Sequence, residues 1–281
     1  MRAQAQQQQS MMNNRTQNQL ERERGGRRSR DQRPDGDPKV AAQGLATAAS
    51  LSCQVTEAVW IGKTEEKQDL YEAACATGPG YLLQSSTPPT TYDCLLLADT
   101  AARQRAEGAE VAAGSVCTLP ANQNSLAVIA GYAREAGVPC EIDEGKIAGA
   151  SAEGNTVYEV GCPNADGFRM ERAGATWKLS ECLEVVAAGS TCAFTTPEEQ
   201  LAGFKPLLAG TDIDDCDAQQ IRLMGQNANG RFVEVKCASG EGYVTRVVDK
   251  AIAQVYACAV AQRVGGGCTM TPVAAATTEQ Q

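Results

Sequence analysis

The chain contains no histidine, and that absence removes more chemistry than any residue present suggests. Ser-His-Asp triads, Cys-His dyads, His-liganded zinc and the usual general base near neutral pH all need an imidazole. Aromatic residues are scarce, at 5% of the chain, so one large interior would lack the side chains that dominate burial. No apolar run approaches the roughly 18–20 residues of a membrane-spanning helix. The nearest stretch, 251–261, is interrupted by Gln254, so no transmembrane segment is expected.

Residues 1–37 lack Cys, Val, Ile, Phe, Trp and Tyr and are rich in Gln, Asn and Arg. Such a segment cannot bury enough apolar surface to offset its ordering entropy, so a disordered tail is expected. Eight Arg against five acidic residues give it +3, which leaves −12 on the other 244 residues. No aromatic residue interleaves with those arginines, so a solvated linker fits them better than a nucleic-acid arm, and the acidic body also argues against nucleic acid. The first residues carry no apolar segment of the kind found in secretion signals. The stretch 40–49 imitates one, but the repeat described next explains it as a helix.

What the chain has in quantity is cysteine, and the spacing repeats. Cys140, Cys162, Cys182 and Cys192 follow one another at intervals of 22, 20 and 10, and Cys216, Cys237, Cys258 and Cys268 at intervals of 21, 21 and 10. Cys53, Cys75, Cys94 and Cys117 run 22, 19 and 23, which fits if an insertion at about 100–114 precedes the last cysteine. Other residues travel with the cysteines. A glycine lies nine after each first cysteine (Gly62, Gly149, Gly225), and a glutamate three before each second (Glu72, Glu159, Glu234). A glycine and an aromatic follow that cysteine (Gly80-Tyr81, Gly167-Phe168, Gly242-Tyr243), and a proline opens each unit (Pro38, Pro120, Pro197). A period of this length marks tandem copies of one supersecondary unit.

The expected fold is therefore α+β: three tandem four-cysteine units of ~75 residues, each a short helix, a three-stranded antiparallel sheet and a second helix. The boundaries are a tail at 1–37, units at 38–118, 119–194 and 195–271, and a second tail at 272–281. Proline suits the first position of a helix, which predicts helices over 40–49, 125–136 and 198–204. Polar Gly/Asn clusters between β-branched runs predict hairpins after them. A third strand is expected from the Gly-aromatic step, and a second helix over 251–262 around the third cysteine of the last unit.

The polar turn lies near the midpoint between first and second cysteines, which sets that pair opposite one another at the open end of the hairpin. First-to-second and third-to-fourth pairing is the preferred reading, although four cysteines allow three connectivities. Units this small rarely hold together on a core alone, and disulfides supply the difference. Zinc fits less well, because its sites contain close cysteine pairs and the nearest here are ten apart. Reduced, buried cysteines in a cytoplasmic protein would not be expected to recur in even-numbered sets.

Glu72, Glu159 and Glu234 are the candidate surface or pairing residues. One per unit suits a repeated bond to a backbone N–H or a cross-strand base better than an active site needing two carboxylates. Asp212, Asp214, Asp215 and Asp217 lack a calcium loop's pattern, and Gly265-Gly266-Gly267 lacks the Lys-Ser/Thr of a phosphate loop. No catalytic residue, cofactor or metal is expected. The leading functional expectation is a non-catalytic binding or structural protein of the cell envelope or secreted fraction, periplasmic or extracellular, with an Ala/Gly/Arg bias compatible with a bacterial source. Its partner would be an unidentified protein or envelope polymer. One alternative is a carboxylate-dependent hydrolase acting on such a polymer, with the insertion carrying Arg103, Arg105, Glu107 and Glu110 as the place where units differ. Another is a reduced cytoplasmic protein whose basic arm contacts nucleic acid.

Overall fold

The computed structural model describes residues 33–112 and 114–271; the tail expected at 1–37 lies almost wholly outside them, as does the one at 272–281. The chain divides into two compact units at Asn124/Ser125. The first carries one sheet and the second carries two, and every sheet is a four-stranded antiparallel meander.

In the first unit, helix α1 (Pro38–Ala48) starts with Pro38 at its first turn and Asp37 as N-cap, whose side chain accepts from Lys39 N. Strands β1 (Val55–Lys63), β2 (Asp69–Cys75), β3 (Tyr81–Gln84) and β4 (Thr90–Asp93) follow in spatial order. Ala42 and Ala46 of α1 pack on Val55, Tyr71, Ala73 and Leu83, a core built from small residues, as the scarcity of aromatics requires. Helix α2 (Cys94–Ala106) then begins at the third cysteine, capped by Asp93. The insertion lengthens this helix, and its Arg103, Arg105, Glu107 and Glu110 are exposed.

In the second unit, α3 (Ser125–Ala136) packs on the sheet of β5 (Glu144–Ala150), β6 (Thr156–Cys162), β7 (Ala165–Ala173) and β8 (Thr176–Glu181). Tyr132 of α3 meets Tyr158 and Trp177 at ring-centroid distances of 5.2 and 5.5 Å. A short α4 (Cys182–Ala187) begins at the third cysteine. Helix α5 (Pro197–Phe204) follows, with the capping box Thr196/Glu199 at its start. It packs on β7 of one sheet and on β9 of the next. That next sheet is β9 (Ala218–Asn227), β10 (Gly230–Cys237), β11 (Gly242–Val248) and β12 (Ala251–Ala257). One core joins Leu183 of α4 to Phe204, Ile213, Leu223, Val233, Val235 and Val247.

Two expectations are corrected. Each repeat has four strands and not three, and the helix expected over 251–262 is strand β12 followed by a turn at Cys258. The cause is a bulge: Arg246 pairs with Gln254 but Val247 with Ile252, so Ala253 is an extra residue. The bulge puts the half-buried Ile252 and Val255 three apart, a spacing that imitates a helical face. Helices at the third cysteine do occur as α2 and α4.

Bulges also explain the first recurrent glycine. In β1, β5 and β9 the register slips at Ile61, Ala148 and Met224, each one residue before Gly62, Gly149 or Gly225. Those glycines have φ values of 154, 138 and 152 degrees, a region that a side chain would disfavour.

Candidate functional site

All twelve cysteines are joined, and none is free. First and second cysteines pair as 53–75, 140–162 and 216–237, with Cα separations of 5.2, 5.9 and 5.4 Å. Third and fourth pair as 94–117, 182–192 and 258–268, at 5.6, 5.9 and 5.7 Å. Closing loops of these lengths stabilises the fold by about 3 kcal/mol per bridge. Six disulfides point to an oxidising, extracytoplasmic setting.

The three recurrent glutamates are fully buried, at 0% (Glu72), 1% (Glu159) and 0% (Glu234) exposure. Alternation along β2 puts Tyr71 and Ala73 on the helix-covered face and Glu72 on the other. There the segment after the fourth cysteine closes over it. Glu72 accepts from Thr118 N (2.8 Å), Leu119 N (2.7 Å), the Thr118 hydroxyl (2.9 Å) and Asn122 Nδ2 (2.8 Å). Glu159 accepts from Ala193 N and from Phe194 N (3.1 Å), and Arg169 Nε lies 3.6 Å away. Glu234 accepts from Thr269 N (2.9 Å) and Met270 N (2.7 Å), and from Arg222 Nη2 at 2.6 Å. In every repeat the backbone donors are the first and second residues after the fourth cysteine, so a disulfide and a buried carboxylate fasten the same segment. Burial pushes the Glu234 carboxyl up, but the bonds from Thr269, Arg222 and Met270 outweigh it and hold the group below its usual value.

The second recurrent glycine belongs to this arrangement. A Cβ on Gly80 or Gly167 would fall 2.5 Å from the carbonyl oxygen of Ala73 or Val160 and overlap Asn122 or Thr195 of the closing segment. Glu72 and Glu234 also lie beside the sulfurs of Cys94–Cys117 and Cys258–Cys268. Those sulfurs are bonded to one another and the carboxylates are filled by N–H donors, so the two clusters offer no metal-binding set.

The remaining sequence candidates are dispersed. Asp212, Asp214, Asp215 and Asp217 are exposed around a half-buried Cys216. Tyr81 and Tyr243 are half-buried against their cores, whereas Phe168 lines a cleft.

That cleft, of about 370 Å³, lies within the second unit and draws its walls from two repeats. Phe168, Leu183, Phe204, Ile221, Val233 and Val247 give it an apolar lining, with Asp166, Glu181, Gln200, Arg231 and Lys250 as polar members. Asp166 Oδ2 accepts from Leu183 N (2.9 Å) and Oδ1 from Gln200 Nε2 (3.2 Å), which ties β7 to α4 and α5. Burial pushes its carboxyl up to about 6, against the lowering effect of those bonds. Glu181 Oε2 accepts from Arg231 Nη1 at 2.6 Å. The polar residues escaped the sequence reading because they come from two repeats and obey no period. Asp166 did carry one signal: it precedes the recurrent glycine where the other repeats have Pro79 and Glu241.

No protein-family model, curated protein or solved structure matches this chain.

Proposed function

We propose that the protein is a non-catalytic, disulfide-stabilised repeat protein of the cell envelope or secreted fraction that acts by binding. The observation that carries this reading is the use of the only carboxylates common to all repeats: each is buried, and each is filled by backbone donors. A group so engaged holds the fold and has no free face for a substrate. Six disulfides support the extracytoplasmic setting. The partner class is a protein or an envelope polymer. The test is intact mass of protein taken directly from cell fractions, with and without reduction. Six bridges lower the mass by twelve hydrogens and should be found in an envelope or secreted fraction; twelve freely alkylated thiols would remove the proposal.

One observation favours a second reading, the carboxylate-dependent hydrolase. Asp166, its carboxyl raised to about 6 by burial, lines one cleft with Glu181, which is ion-paired to Arg231, and two carboxyl groups in one cleft are what such hydrolysis requires. Hydrolysis of purified envelope polymer that is abolished by Asp166→Asn and by Glu181→Gln, with folding intact, would replace the binding reading with this one.

A further inference from the structure

The three third-to-fourth bridges are built alike, but the charge beside them differs. In each, the third cysteine is buried (Cys94 2%, Cys182 0%, Cys258 3% exposed) and the fourth is half-buried. An attacking thiolate therefore meets the fourth sulfur, and the third leaves as a buried thiolate. At 94–117 and 258–268 a carboxylate oxygen of Glu72 or Glu234 lies within 4.8 Å of both sulfurs. Glu159 and the 182–192 bridge form no such cluster among the described residues. The strand register then separates the first two bridges. Glu234 faces Arg222 on β9, which bonds it at 2.6 Å. The same position beside Glu72 holds Val59, and its neighbour on β3 is Leu82. Glu72 takes its bonds from neutral donors, and no Lys or Arg forms an ion pair with it among the described residues.

We propose that Glu72 guards the 94–117 bridge electrostatically against thiol–disulfide exchange, a protection that the second repeat lacks and the third neutralises. In the exchange a thiolate bonds to Cys117 Sγ, the 94–117 bond breaks, and its electron pair leaves on Cys94 Sγ. A second thiolate then frees Cys117, the reagent departs as its own disulfide, and the two cysteines take protons from solvent. The negative charge that develops on the sulfurs sits beside a buried carboxylate with no cation to offset it, which disfavours the thiolate. Arg222 offsets the equivalent field in the third repeat. The consequence is a first unit whose closing segment stays fastened under attack by anionic thiols. The inference goes beyond the binding role proposed above and does not depend on it.

The experiment treats the oxidised full chain with cysteamine or with mercaptoethanesulfonate, two small thiols of opposite charge, and follows each bridge by alkylation and peptide mass. The ratio of the two rates at one bridge cancels burial and local opening, which affect both reagents alike. That ratio should favour cysteamine at 94–117 about tenfold more than at 182–192, because unit charges this close still interact strongly at an effective dielectric of about 20. The 258–268 bridge should behave like 182–192. Val59→Arg, at a position already 37% exposed, supplies the cation that Arg222 supplies in the third repeat and leaves the donors to Glu72 in place. It should bring the 94–117 ratio down to that of 258–268, and Val59→Gln should leave it unchanged. Four results would overturn the inference: equal ratios at the three bridges, a native ratio in Val59→Arg, an equal fall in both variants, or a 94–117 bridge closed to both thiols while 182–192 opens.

Discussion

Replacing Glu72 by glutamine removes one charge, keeps the side-chain shape, and turns one acceptor oxygen into a donor. In the native protein that carboxylate takes bonds from Thr118 N, Leu119 N, the Thr118 hydroxyl and Asn122 Nδ2 at 2.7–2.9 Å, at a site with 0% exposure. Hydrogen bonds to a charged group contribute about 1.5–3 kcal/mol and neutral ones about 0.5–1.5 kcal/mol. The amide can retain about three of them in weakened form, at a loss of roughly 1 kcal/mol each, and its new N–H₂ must face a backbone N–H. The sum is about 3–4 kcal/mol. For a compact unit of this size, about 1 kcal/mol corresponds to ~4–8 °C in Tm, so the first unit should melt ~12–30 °C lower. Scanning calorimetry on the full chain measures this, and amide exchange at Thr118 and Leu119 should quicken in step. The control is Glu57→Gln, on the exposed side of β1. A surface change of that kind should shift stability by no more than about 0.5 kcal/mol. If Glu72→Gln melts like that control, with Thr118 and Leu119 still protected, the carboxylate does not fasten the segment and the reasoning fails.

Three further outcomes follow from the same geometry. Glu234 has a folded pKa below its unfolded value, so its contribution is present above the ordinary glutamate range and is lost as pH falls through the folded pKa; Glu234→Gln should flatten the acid limb of a denaturation-midpoint curve. Asp166 has the opposite sign: its unfolded form ionises first, so stability falls as pH rises from about 4 to about 6. Asp166→Asn should remove that slope while costing little at neutral pH, read by urea melts across that range. In Gly167→Ala the added methyl group meets the Val160 carbonyl and the Thr195 hydroxyl. That overlap should destabilise the fold by more than about 2 kcal/mol, read as a lower denaturation midpoint.

The repeat is legible in the order of the amino acids because covalent and conformational constraints leave residues at fixed intervals. A disulfide needs two cysteines at opposed positions of a hairpin, a bulge in the first strand needs Gly62, Gly149 and Gly225, and a buried carboxylate needs Glu72, Glu159 and Glu234 at one strand position. Helices α1 and α5 were legible for a similarly local reason: a capping residue and a proline stand at the start of a short apolar face. The fourth strand was not legible where a bulge at Ala253 shifted the apolar residues of β12 onto a helical spacing. Only the folded chain reveals what fills each glutamate, since the donors are far along the chain, Ala193 from Glu159 and Leu119 from Glu72, on a segment of no pattern of its own. The cleft, too, exists only after folding. Phe168 and Glu181 belong to one repeat and Arg231 and Lys250 to the next, and only the packing of α5 on both β7 and β9 makes them neighbours. Periodicity records what each copy must repeat, whereas a site formed by two different copies depends on residues they do not share.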